Sequence, residues 1–192
     1  AKNVPHGVVS RVVYHSDVTA GEREMYIYTP PAYYINKKYP LLYLFGGSGE
    51  LASTWSLFGR VNFIIDNLIA EGKALPMIIV MPNNQIVHRS DPKHTERTFD
   101  LFDKELTSEV IPYVEQNYSV ITDRKGRAIA GLSMGGRHAQ VNGFNNLDLF
   151  SSFGLLSSAE SLDLTPAISQ PDFNSKVDYL FVGAGTNETN PT

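Results

Sequence analysis

Cysteine is absent from the 192-residue chain. That absence removes disulfide frameworks, thiolate metal sites and a cysteine nucleophile. It leaves the compartment open, because a chain without thiols tolerates any redox poise. Long hydrophobic runs are missing too. The longest, near Met77, covers about five residues, against roughly 20 for a membrane-crossing helix. No basic block stands out and the net charge is −4, so neither a membrane span nor a nucleic-acid partner is expected. The opening segment, residues 1–7, has no apolar stretch of the kind a secretory signal needs. The chain is therefore cytosolic, or its signal has been removed. Histidine is scarce, at positions 6, 15, 88, 94 and 138 only.

What is present points to a folded domain. Hydrophobic residues make up 42% and charged residues 19%, unlike a disordered or collagen-like chain. The length favours one domain over residues 1–192.

Local patterns alternate between strand and helix. Val8–Tyr14 and Arg23–Tyr28 are rich in Val, Tyr and Ile around a turn at Thr19-Ala20-Gly21, which predicts an antiparallel hairpin. Leu41–Phe45 and Met77–Met81 are unbroken apolar runs, expected for strands buried on both faces. Asn62–Glu71 and Phe99–Gln116 carry apolar residues at helical steps, with Pro112 expected to bend or split the second. Arg127–Ala130, Phe153–Leu156 and Tyr179–Ala184 read as strands, Met134–Phe144 as a helix, and Asn83–Thr98 as a polar loop. Such alternation predicts an α/β fold with a mainly parallel sheet.

One motif carries chemistry. Gly131-Leu132-Ser133-Met134-Gly135 matches G-x-S-x-G between a predicted strand and a predicted helix, the setting in which a sharp turn lifts a serine hydroxyl off the sheet. Small residues at both ends let strand and helix pack around the turn. The Met134 amide opens the helix and can donate to a developing oxyanion. A second donor should come from the loop after an earlier strand. Gly46-Gly47-Ser48-Gly49 fits, with the Ser48 amide preferred and that of Gly47 as the alternative. A phosphate loop does not fit, since neither G-K-[ST] nor G-x-G-x-x-G is met.

At this point the chain resembles a known family. Tyr39-Pro40-Leu41-Leu42-Tyr43-Leu44, Asp66-Asn67-Leu68-Ile69-Ala70-Glu71-Gly72, Ile111-Pro112-Tyr113-Val114-Glu115, and the run from Thr122-Asp123-Arg124 to the elbow and Gly136 are similar to the feruloyl and acetylxylan esterases of carbohydrate esterase family 1. The match spans nearly the whole chain, in order. The resemblance implies an α/β-hydrolase fold with a Ser-His-Asp triad and no cofactor. It also implies secretion or a periplasmic location, and feruloylated or acetylated xylan as partner. A place within a multidomain xylan-degrading enzyme is compatible with it. Ser133 falls on the family nucleophile, and Glu188 on the position of the triad acid, where Asp is usual.

Two departures matter. The family often carries His-Gly where this chain has Gly46-Gly47. The family histidine follows the acid, yet residues 139–192 contain none. The domain is therefore expected to be C-terminally incomplete, lacking its base. His138 lies five residues past Ser133 on the elbow helix, a rise of about 7.5 Å away from the hydroxyl, so a helix-surface or partly packed role is expected. His88 and His94 belong to the polar loop, and His6 and His15 look structural. No pair has helical zinc spacing, so no metal is expected. Trp55 can stack on a sugar or aromatic acyl group or simply pack in the core. Asn83, at the strand edge where ligands gather, is a polar contact or a turn former. The first reading is a serine esterase acting on feruloyl or acetyl groups of xylan. The rivals are a non-catalytic remnant or binding module, and a relative of the S-formylglutathione hydrolases.

Overall fold

The computed structural model describes residues 2–88, 90–158 and 165–188. Its centre is a seven-stranded sheet in the order β1-β2-β4-β3-β5-β6-β7. The strands are β1 (Val8–Ser16), β2 (Gly21–Thr29), β3 (Leu41–Phe45), β4 (Ile78–Pro82), β5 (Arg127–Leu132), β6 (Ser152–Leu156) and β7 (Tyr179–Gly183). The first two form the expected antiparallel hairpin, and β2 runs antiparallel to β4. All pairs from β4 to β7 are parallel. This is an α/β-hydrolase-type sheet.

The apolar runs explain its centre. Every residue of β4 is buried, and so are four of the five in β3. They face helices on both sides, which only continuous apolar strands can do. On one face Tyr43, Phe45, Ile129 and Phe153 pack against α3 (His94–Glu105), α4 (Ile111–Asn117) and α5 (Met134–Asn145). On the other, Leu44, Ile79 and Met81 meet Ile65 of α2 (Val61–Ala70) and Trp55 of the short α1 (Thr54–Leu57). Two further short helices, α6 (Thr165–Ile168) and α7 (Phe173–Lys176), precede β7. The edge strand β7 keeps Tyr179, Leu180, Phe181 and Val182 exposed.

The long helix expected over 99–116 is split, for a reason seated in Pro112. A π-helical turn, Leu106–Val110, separates α3 from α4 and leaves Pro112 in the first turn of α4. There its missing N–H leaves no broken bond. The loop expected up to Thr98 ends early, because α3 already begins at His94.

Candidate active site

The C-terminal ends of the parallel strands put the candidate residues on one edge of the sheet. At the end of β5 the chain turns sharply into α5, and Ser133 sits on the turn with φ 55° and ψ −118°. A non-glycine residue at that φ is held only where its surroundings over-determine it, at a cost of roughly 1–3 kcal/mol. The surroundings here are close. The Ser133 amide donates to Leu156 O at 2.8 Å, pinning the turn to the end of β6. A Cβ at Gly131 would lie 2.3 Å from the backbone of Gly135, and one at Gly135 would lie 2.4 Å from Phe45 O. Both positions of the motif therefore require glycine. Gly135 also sets the first turn of α5 directly against the end of β3, where the glycine-rich loop begins.

That loop adjoins the elbow. A Cβ at Gly47 would sit 3.6 Å from Leu132 O. The loop is held from several sides. Asn84 Nδ2 donates to Gly46 O at 3.0 Å, and Gln85 Nε2 donates to Gly47 O at 3.1 Å. Gly49, at φ 80°, donates its amide to Gln85 Oε1 at 3.0 Å. The Gly47 amide donates to Glu50 Oε2 at 2.6 Å. Of the two candidate donors in this loop, the Gly47 amide is thus engaged by a carboxylate. The Met134 amide opens α5, where the first N–H groups have no intrahelical acceptor. Its side chain packs against Phe99 and Val141.

Glu188 lies on the same edge, past β7. Its Oε1 accepts from Ser157 Oγ at 2.6 Å and from the Gly185 amide at 2.7 Å. The Ser157 hydroxyl, and after it the Gly185 amide, hold this exposed carboxyl below the usual carboxylate range. Ser157 follows Leu156, the residue that pins Ser133, and has its own positive φ of 44°. Elbow and acid thus flank the end of β6.

The histidines stand apart from both. His138, expected on the helix surface or partly packed, is fully buried. Its ring lies 4.3 Å from Phe99, 4.9 Å from Phe102 and 6.2 Å from Phe45, centroid to centroid. Neither ring nitrogen has a hydrogen-bond partner among the described residues. Burial, then the charges of Arg137 and His94, push its pKa down to about 3. His6 Nδ1 pairs with the buried Asp66 at 2.9 Å, His15 lies on β1 beside Glu22, and His88 bonds Ser90 Oγ at 2.8 Å. Among the described residues, none of the five hydrogen-bonds Ser133 or Glu188.

Two further candidates take structural positions. Trp55 donates its indole N–H to Phe45 O at 2.9 Å and packs on the α2 face of the sheet. Asn83 closes a turn: its Oδ1 accepts the Gln85 amide at 2.9 Å. Sequence reasoning missed Glu50, Gln85 and Ser157. The only signal for them was position, as polar residues within a few places of a strand's C-terminal end. Among the described residues no cluster of His, Asp or Glu could hold a metal.

A mainly parallel sheet of this order, with a strained serine on the turn between β5 and α5, defines the class of the α/β-hydrolase fold. Residues 16–185 match the Esterase family model. The chain is 34% identical to an endo-1,4-beta-xylanase/feruloyl esterase of Xylanibacter ruminicola, over 97% of this chain and 26% of that protein. It is 27% identical to endo-1,4-beta-xylanase Y of Acetivibrio thermocellus, over 87% of this chain and 17% of that protein. The chain thus spans about a quarter or less of these relatives' length. Among solved structures, it superposes on the feruloyl esterase module from Clostridium thermocellum complexed with sinapinate, with a TM-score of 0.80 and 25% identity over 97% of this chain and 71% of that one. It also superposes on a CE1 ferulic acid esterase from the anaerobic fungus Anaeromyces mucronatus, with a TM-score of 0.73 and 29% identity over 84% and 60% of the two chains. The chain belongs to the Esterase family, and the solved structures it resembles include CE1 ferulic acid esterases.

Proposed function

We propose that this chain carries the nucleophile of a serine esterase that releases hydroxycinnamoyl groups, ferulate above all, from xylan outside the cell. The observation that carries the reading is the elbow: Ser133 at positive φ, enforced by Gly131 and Gly135, beside the Gly46–Gly49 loop. The preference for an aromatic acyl group is supported by the relatives, which are named as feruloyl esterases, one of them complexed with sinapinate. Their xylanase names support xylan as the carrier and a multidomain setting.

On this reading the steps are those of a serine esterase. Ser133 Oγ attacks the ester carbonyl as an imidazole takes its proton. The Met134 and Ser48 amides stabilise the oxyanion. Collapse expels the sugar hydroxyl, which regains that proton, and water then frees the acid. Glu188 orients the imidazole; both of its present bonds fall on Oε1. On this fold the histidine follows the acid in chain order, and residues 139–192 contain none. The reading requires an imidazole, which none of the described histidines brings to Ser133 or Glu188. The sequestered, neutral His138 cannot serve.

The test is acid release from methyl ferulate and from acetylated xylan by the whole protein that contains these 192 residues. Ferulate release that disappears in Ser133→Ala is expected. Acetate release without ferulate release would overturn the acyl preference. Release of neither would favour a non-catalytic binding role, for which the lack of a histidine on Ser133 is the supporting observation.

A further inference from the structure

The loop proposed to hold the oxyanion is not self-supporting. Its position can be traced outward through hydrogen bonds to a buried ion pair on another layer of the fold. Gln85 grips the two residues that flank Ser48, donating to Gly47 O at 3.1 Å and accepting from the Gly49 amide at 3.0 Å. Gln85 is itself held by its backbone. Its amide donates to Asn83 Oδ1 at 2.9 Å, and its carbonyl accepts from Arg23 Nη1 at 3.2 Å. Arg23 Nη2 donates to Asn83 O as well. One guanidinium therefore closes over both ends of the Asn83–Gln85 turn.

Arg23 does not float. Glu105, fully buried at the end of α3, accepts from its Nε at 2.8 Å and its Nη2 at 3.1 Å, a two-point fork. The Tyr14 hydroxyl donates to the same carboxylate at 2.6 Å. A planar guanidinium bound at two points has little freedom to swing. Its carbonyl contacts transmit that rigidity to the turn, and Gln85 transmits it to the loop.

We infer that Arg23 and Gln85 are positioning residues for the oxyanion loop: the Arg23–Glu105 fork fixes the Asn83–Gln85 turn, and the Gln85 amide sets Gly47 and Gly49, and with them the Ser48 amide between. The inference rests on the esterase reading above for its catalytic consequence. Neither side chain is assigned contact with substrate. Their effect is on the placement of a donor, where an error of about 1 Å costs on the order of 10²-fold in rate, and loss of one oxyanion donor costs about 10²–10³-fold in kcat.

Two measurements test this in the whole protein that contains these residues. The first is amide hydrogen exchange at Gly49. The second is the split of kcat and KM on methyl ferulate. Gln85→Ala removes the grip at a partly buried site and should fold. It is expected to speed Gly49 exchange at least about 10-fold and to lower kcat about 10–100-fold with KM little changed. Arg23→Met alone would strand a buried carboxylate, so the second variant is Arg23→Met/Glu105→Gln, which leaves an acceptor for Tyr14. It touches no atom of the loop, yet the same two changes are expected in it, while exchange in β3 and β5 stays as in the parent. Arg23→Lys, which reaches Glu105 and one carbonyl, should restore part of kcat. Unchanged Gly49 exchange in either variant overturns the inference. So does faster exchange with unchanged kcat. If the unaltered protein does not turn over methyl ferulate, the esterase reading fails, and Gly49 exchange still decides whether the relay exists.

Discussion

His138 gives the sharpest stability prediction. The imidazole is fully enclosed by Phe45, Phe99 and Phe102, with neither nitrogen bonded among the described residues. Its pKa falls to about 3, chiefly through burial and then through the nearby charges of Arg137 and His94. The unfolded chain should protonate this residue near pH 6.5. Between those values the unfolded state binds a proton that the folded state refuses, so stability rises with pH across the window and drains away as pH falls. With one unit of pKa shift equal to about 1.4 kcal/mol, the residue should remove about 2 kcal/mol of stability between pH 7 and pH 5. That is a large share of the roughly 5–15 kcal/mol that hold a domain. His138→Leu keeps a similar volume and deletes the titration. Urea unfolding of both proteins at pH 7 and pH 5 isolates the term, because acidic groups contribute equally to each. The variant should gain about 2 kcal/mol on the parent at pH 5 relative to pH 7. A difference independent of pH would refute the sequestration of the ring.

Three other outcomes are expected. Gly135→Ala forces a Cβ to 2.4 Å from Phe45 O, so thermal unfolding should show a loss of about 3–5 kcal/mol or a protein that does not fold. Asp66→Ala strips the acceptor from the buried Tyr28 hydroxyl, the part-buried Gly7 amide and His6; urea titration should show about 3 kcal/mol lost, chiefly because the Tyr28 hydroxyl is left unpaired. Glu188→Gln should lower kcat on methyl ferulate by at least about 10²-fold without lowering the melting temperature, as expected for a residue that orients a histidine.

The sequence made the sheet legible because β3 and β4 are buried on both faces and so read as unbroken apolar runs. The elbow was legible because its two glycines answer to backbone contacts below 2.5 Å, a constraint no other residue meets. What it hid was set by long-range packing. The full burial of His138 depends on three phenylalanines from two other elements. The supports of the Gly46–Gly49 loop, from Glu50 through Gln85 to Arg23 and Glu105, are spread over 82 positions between their extremes. Their residue types are ordinary for a solvated surface. Trp55 shows the converse: a residue type suited to stacking on a ligand spends its indole N–H on the end of β3.

The central claim is that Ser133 is the nucleophile. It is tested most directly by acid-quenching the whole protein early in its reaction with methyl ferulate and locating any acyl group by peptide mass spectrometry. One feruloyl group is expected on the peptide bearing Ser133, and none in Ser133→Ala. A feruloyl group on another residue, or full turnover by Ser133→Ala, would contradict it.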